Sequence, residues 1–359
     1  MTNSVKNHYV SSEAVASKDF IYTGGFTFES GEKLDLLKIN YHTYGTFDEK
    51  KNNVVWVCHA LTANSNPISW WQGLVGDNFL YNPEEYFIVC ANILGSCYGT
   101  SGPVETDPKT GKPYYLSFPQ VTIRDMVNAH ELLRVHLGIT QIHTCIGGSL
   151  GGQQVLEWSI MNPTLISNSI IMASNAFHSP WGIAFNEAQR MAIKSDPTWK
   201  DNSIDAGKTG MGAARAMALL SYRTYETYKK TQSEETCELK EGFKAVSYQQ
   251  YQGEKLVKRF NCHSYLYLTH AMDSHNVGRG RGSVEKALAT IKSRTLLIGI
   301  ESDILFPPSE QEYIQQRVEG AVYKGIKSLY GHDGFLIETE EIAGIIRDFY
   351  KNIVNGRRP

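Results

Sequence analysis

The chain is short of net charge, of long apolar runs and of paired cysteines, and each shortage removes a class of function. Lysine and arginine number 35 against 37 aspartate and glutamate, a formal charge of −2. So balanced a chain has no electrostatic footprint for nucleic acid or for an anionic bilayer. No stretch approaches the roughly 18 apolar residues of a membrane span. The opening MTNSVKNHYVSSEAVASKDF lacks the continuous apolar segment of a secretory signal. Six cysteines, Cys58, Cys90, Cys97, Cys145, Cys237 and Cys262, fall at irregular spacings without a C-x-x-C pair. Three lie inside apolar runs, where a free thiol packs as a small hydrophobe. The eleven histidines show no H-E-x-x-H and no clustered ligand spacing. Glycines in ILGSCYGTSGP and GRGRGS match neither a phosphate loop nor a dinucleotide fingerprint. These absences predict a cytoplasmic protein with no metal site, no nucleic-acid partner and no membrane contact.

What is present is enough apolar residue, 42% of 359, for one large α/β domain with an insertion or for two ordinary domains. FTFESGEKLDLLKINYHTYG alternates around a Ser-Gly turn and predicts antiparallel strands. NNVVWVCHA, YFIVCANIL, IHTCI and NSIIMAS are too short for helices and too continuously apolar for half-exposed strands. Helical patterns separate them, as in VTIRDMVNAHELLRVHLG, where an apolar stripe ends at Gly138. Strands alternating with helices predict a mainly parallel sheet. From about Ser179 to about Gly282 the chain turns polar and helix-prone, and strand signal returns in RTLLIGI and YKGIKSLY. The expected architecture is an α/β core of residues 1–178 and 286–359, interrupted by a helical cap over 179–285.

One stretch carries chemistry. HTCIGGSLGGQQVLEW places Ser149 between glycine pairs, after a strand-like run and before a helical one. Gly147-Gly148-Ser149-Leu150-Gly151 fits G-x-S-x-G, the nucleophile elbow. A serine on so sharp a turn needs small neighbours, and at a helix N-terminus backbone N–H groups favour a developing oxyanion. For the motif alone, a glycine-rich corner with an incidental serine stays open.

Its partners are expected in the chain order serine, acid, histidine. RTLLIGIESDILFPP puts Asp303 just past a strand, and KSLYGHDGFL puts His332 in the loop past the next. A loop cap and an ordinary loop histidine are the alternatives for each alone. As an ordered set at the carboxyl ends of neighbouring strands they predict a triad, with Ser149 as nucleophile, His332 as base and Asp303 as its orienting acid. The amide of Leu150 is one oxyanion donor. The loop in VCHALTANS, after Cys58, offers that of Leu61 as the second.

The blocks NYHTYGTFDEKKNNVVWVCHALT, ANILGSCYGTSGP, GGSLGGQQVLEW, ESDILFPP and GHDGFL, in that order, resemble the homoserine O-acetyltransferases, α/β-hydrolase-fold enzymes that begin microbial methionine synthesis. The likeness runs from about Phe26 to the final helix, and YQGEKLVKRFNCHSYLYLTHAMDSHNVGRGRG adds a family-like cap segment. It implies ping-pong transfer of an acetyl group from acetyl-CoA, a co-substrate rather than a bound cofactor, to the hydroxyl of L-homoserine. It also implies that Arg215 and Tyr222, seven apart in AARAMALLSYR, reach into the site from a cap helix. Arg215 then holds the substrate carboxylate and Asp333 its ammonium, since a zwitterion in a dry site needs both charges met. A homodimer follows from the family alone, with NCHSYLYLTHAM either a self-association face or a buried cap-to-core contact. Ala63, Asn64, Tyr98 and Gln153 depart from residues common in relatives and bear on donor and acceptor choice. Alternatives are a succinyl donor, a serine acceptor, or an esterase that gives the acyl group to water. A non-catalytic binding protein on the same scaffold is the reading from another class.

Overall fold

The computed structural model describes residues 16–354. The apolar runs become neighbouring strands because they lack any polar face to turn to water. In Val54–Cys58 every residue is buried. We number the strands of the central sheet β1 Lys18–Tyr22, β2 Leu37–Tyr44, β3 Val54–Cys58 and β4 Phe87–Ala91. They continue as β5 Ile142–Gly148, β6 Ile166–Met172, β7 Arg294–Ile300 and β8 Val322–Ile326. Their spatial order is β1-β2-β4-β3-β5-β6-β7-β8. β1 and β2 run antiparallel to their neighbours, and the other pairings are parallel.

FTFESGEKL does form an antiparallel hairpin, but as a separate ribbon, Phe26–Thr27 on Lys33–Leu34, turning at Gly31 with φ +88°. Only the following segment, buried and half-buried in alternation, enters the main sheet as β2. Apolar clusters cover both faces of the sheet, with Trp56 and Trp158 packed edge to face at 5.0 Å on one of them.

Helix α1, Ile123–His136, starts at a capping box in which Thr122 and Asp125 satisfy each other's backbone N–H groups, and Gly138 at φ +69° ends its turn. Helix α2, Leu150–Met161, begins directly after Ser149. Between β6 and β7 come α3 Pro180–Lys194, α4 Lys208–Tyr222, α5 Tyr225–Gln232, α6 Lys244–Val257 and α7 Cys262–Asp273. The chain enters and leaves this helical insertion side by side, the His178 amide donating to the His275 carbonyl at 2.9 Å. After β7, helix α8 spans Pro308–Gln315, and α9, Thr339–Val354, closes the fold.

The helix-prone stretch GMGAARAMALLSYRTYETYKK is divided between α4 and α5. Arg223 is extended, and the Thr224 side chain caps α5 by accepting from the Thr227 amide. Helix α7 is buried along most of its length, so NCHSYLYLTHAM packs inward. Among the described residues no helix is long and apolar enough to cross a membrane.

Candidate active site

Ser149 sits between β5 and α2 at φ +57°, ψ −127°, a left-side conformation that a side chain adopts only under constraint. Two contacts impose it. The Ser149 amide donates to the Met172 carbonyl at 2.9 Å, which ties the turn to the end of β6. The Ser174 hydroxyl donates to the Ser149 carbonyl at 2.8 Å. The flanking glycines are required by space: a Cβ on Gly151 would lie 2.1 Å from the Cys58 carbonyl oxygen, and one on Gly147 would lie 2.5 Å from the Gly151 backbone. The loop leaving β3 therefore crosses directly over the start of α2.

Asp303 follows β7, and its carboxylate is fixed on both oxygens. One accepts the amides of Leu305 and Phe306 at 2.8 and 3.0 Å. The other accepts the Nδ1 hydrogen of His332 at 2.7 Å, which orients the imidazole. Aromatic rings hold the histidine in place, with Phe306 stacked at 5.1 Å and Phe335 edge-on at 5.4 Å. Phe335 also fills the space a Cβ on Gly148 would take, so the ring beside His332 is the ring beside the elbow. Ser149, Asp303 and His332 are buried, 6%, 3% and 3% exposed. Burial opposes the imidazolium, but the adjacent Asp303 carboxylate and the Asp333 charge outweigh it and raise the His332 pKa above its ordinary 6.5.

Arg215 and Tyr222 share one face of α4, the guanidinium lying 5.4 Å from the tyrosine ring centre. Tyr222 in turn lies 5.6 Å from the His332 ring. Asp333 is half-buried beside them. Burial raises its carboxyl pKa, with Arg223, His332 and Arg215 pulling the other way. Its direct partner is Arg223, at 3.0 Å. Arg223 is not among the residues that the sequence pattern singles out. The signal was adjacency, since it follows Tyr222 at the end of α4, where an extended residue points a different way from the helix.

Leu150 is the first residue of α2, and Leu61 lies in a tight turn closed by the Ala63 amide donating to the Ala60 carbonyl at 3.0 Å. Both are buried. Gln153 is wholly buried behind the elbow, donating to Asn175 at 2.9 Å. The insertion touches the acid loop as well, through Trp181 Nε1 donating to the Ile304 carbonyl at 2.7 Å. Among the described residues, no three His, Cys, Asp or Glu side chains converge as a metal cage would require.

This arrangement can attack an acyl carbonyl, and its sequence relatives match over nearly the whole chain. A family model described as the alpha/beta hydrolase fold matches residues 53–339. A homoserine O-acetyltransferase of Cyclobacterium marinum is 50% identical over 324 residues, spanning 90% of this chain and 92% of that one. The chain belongs to the homoserine O-acetyltransferase family. A second member, from Chlorobaculum tepidum, is 42% identical over 339 residues, covering 91% of this chain and 95% of its own. The solved homoserine O-acetyltransferase from Bacillus anthracis superposes with a TM-score of 0.86 at 22% identity, over 93% of this chain and 97% of that one. Esterase E22 superposes almost as well, with a TM-score of 0.84 at 23% identity and coverage of 93% and 99%. The family therefore shares its fold with enzymes described as hydrolases.

Proposed function

We propose that this chain transfers the acetyl group of acetyl-CoA to the hydroxyl of L-homoserine through an acyl-Ser149 intermediate, and so supplies methionine synthesis. The observation that carries the reading is the convergence of α4 on the triad: Arg215 by Tyr222, Tyr222 by His332, and Asp333 next in sequence. An esterase needs a nucleophile, a base and water, whereas a transferase also needs charges of both signs to hold a zwitterionic acceptor.

His332 takes the Ser149 hydroxyl proton as Oγ attacks the thioester carbonyl, and the Leu61 and Leu150 amides receive the oxyanion. Collapse expels CoA as its thiol, with the proton returned by His332. Homoserine then enters with its carboxylate on Arg215 and its ammonium on Asp333. His332 deprotonates the acceptor hydroxyl, which attacks the acyl-serine, and Ser149 recovers its proton as O-acetylhomoserine leaves. Acetyl-CoA is a substrate here and not a resident cofactor.

Release of CoA thiol, followed with acetyl-CoA or succinyl-CoA and with homoserine, serine or water as acceptor, tests this reading. Homoserine-dependent release from acetyl-CoA is the expected result. Release that ignores the acceptor would make the chain a hydrolase, and dependence on serine or succinyl-CoA would change the substrates while keeping the chemistry. The free state of all six cysteines suits a reducing, cytoplasmic setting.

A homodimer is the assembly we propose. Met217 and Leu220 on α4 and Val246 and Tyr251 on α6 are exposed apolar side chains. They accompany a groove of about 430 Å³ between these helices, floored by Gly212, Ala216, Gly253 and Val257. Sedimentation equilibrium giving a monomer at micromolar concentration would overturn the dimer.

A further inference from the structure

We propose that Arg259 is a positioning residue for the oxyanion hole: from the helical insertion it grips the turn that carries Leu61 and so sets the direction of the Leu61 amide. The inference rests on the acyl-enzyme reading above.

Arg259 lies just past the end of α6 and spends its guanidinium on two loops of the core. Nη1 donates to the Thr62 carbonyl and, at 2.9 Å, to the Tyr98 hydroxyl. Nη2 donates to the Thr62 hydroxyl at 3.2 Å. Thr62 is therefore held at both its main chain and its side chain by one planar fork, a geometry that lysine cannot reproduce. The turn is anchored elsewhere by parts of the core. Its incoming end is pinned where the Cys58 carbonyl meets Gly151. Its outgoing end is pinned where the Ser65 amide donates to the Asn92 side chain at 2.8 Å. Its apex is held across the gap from the insertion, by Arg259. Asn92 also donates to the Tyr98 carbonyl at 2.8 Å, so Tyr98, whose ring packs edge-on to Phe260 at 5.7 Å, belongs to the same clamp.

Magnitude separates the roles open to such a group. The Arg259 side chain is solvent-exposed, and exposed polar contacts of this kind add little to global stability. An oxyanion donor, in contrast, acts only over a narrow range of distance and direction, and its removal costs about 10²–10³-fold in rate. A residue that aims the donor, without being the donor, is expected to matter by roughly tenfold in rate and hardly at all in melting temperature.

The test is the pre-steady-state burst of p-nitrophenol from p-nitrophenyl acetate, which acylates the serine without CoA or an amino acid. We expect Arg259→Ala to slow the burst rate constant roughly tenfold with full burst amplitude. The KM for homoserine should stay within about twofold. Arg259→Lys should recover only part of the rate, and Tyr98→Phe should lose a smaller part. A burst rate constant equal to wild type in Arg259→Ala overturns the inference. So does a loss confined to burst amplitude, which marks misfolded enzyme instead of a misaimed donor. A wild-type chain with no burst overturns the acyl-enzyme reading and this inference with it. A normal wild-type burst left unchanged by the variants overturns the inference alone.

Discussion

Arg223 holds the carboxylate of Asp333 at 3.0 Å, one residue on from the tyrosine that faces His332. The pair bridges the helical insertion and the loop that carries His332. It also favours the charged form of a carboxyl that burial pushes toward neutrality. Arg223→Met should therefore raise the KM for homoserine by about tenfold, equivalent to about 1.4 kcal/mol. Ester-driven acylation of Ser149 should be little changed. Steady-state kinetics on both substrates check this, and an acylation defect as large as the KM effect would refute it.

Arg215→Ala should act on the second half of the reaction. Homoserine-dependent turnover is expected to fall by about 10²-fold or more, because a carboxylate that loses its forked partner loses both charge and register. Rapid-quench measurement should still find acetyl-Ser149 forming at near the wild-type rate.

The dihedrals of Ser149 set function against stability. Ser149→Gly removes the nucleophile and the side-chain strain together. Acyl transfer should vanish while stability rises by about 1 kcal/mol, or roughly 1–2 °C in melting temperature for a chain this long. Ser149→Ala should be equally inactive without that gain. Calorimetry on the two variants separates them. The neighbouring Gly151→Ala is expected to do the opposite, costing roughly 2–3 kcal/mol because its Cβ has to displace the Cys58 carbonyl.

The pH profile has a definite sign. His332 works as a base only when neutral, and its pKa is raised above 6.5 despite burial. The acid limb of kcat/KM should therefore fall above pH 6.5. Asp303→Asn removes the anion that raises this pKa, so the limb should move to lower pH as kcat drops by about 10⁴-fold. A limb that stays in place would show that another group controls it.

Most of the sheet, and the placement of Ser149, Asp303 and His332 just past strands, were legible in the sequence, because continuous apolar runs and a glycine-boxed serine have few physical interpretations. RTLLIGIESD and SLYGHD put Asp303 and His332 after neighbouring strands, and the structure brings the two within 2.7 Å. Three features were not legible. The break at Arg223 depends on Thr224 capping α5, which outweighs the helical propensity on either side. The inward face of NCHSYLYLTHAM depends on which surface covers it, and an apolar pattern has no address. The grip of Arg259 on Thr62 joins positions 197 residues apart, and neither residue shows it locally.

The triad is also divided in time. Ser149 is synthesised before the helical insertion, whereas Asp303 and His332 follow it, in the loops after β7 and β8. A ribosome has therefore emitted the strand and helix of the nucleophile long before it emits the base. Until β8 docks, the nascent polypeptide carries only an ordinary, unactivated serine in that corner. On the proposed acyl-enzyme mechanism, competence therefore waits until the loop after β8 has docked beside the elbow.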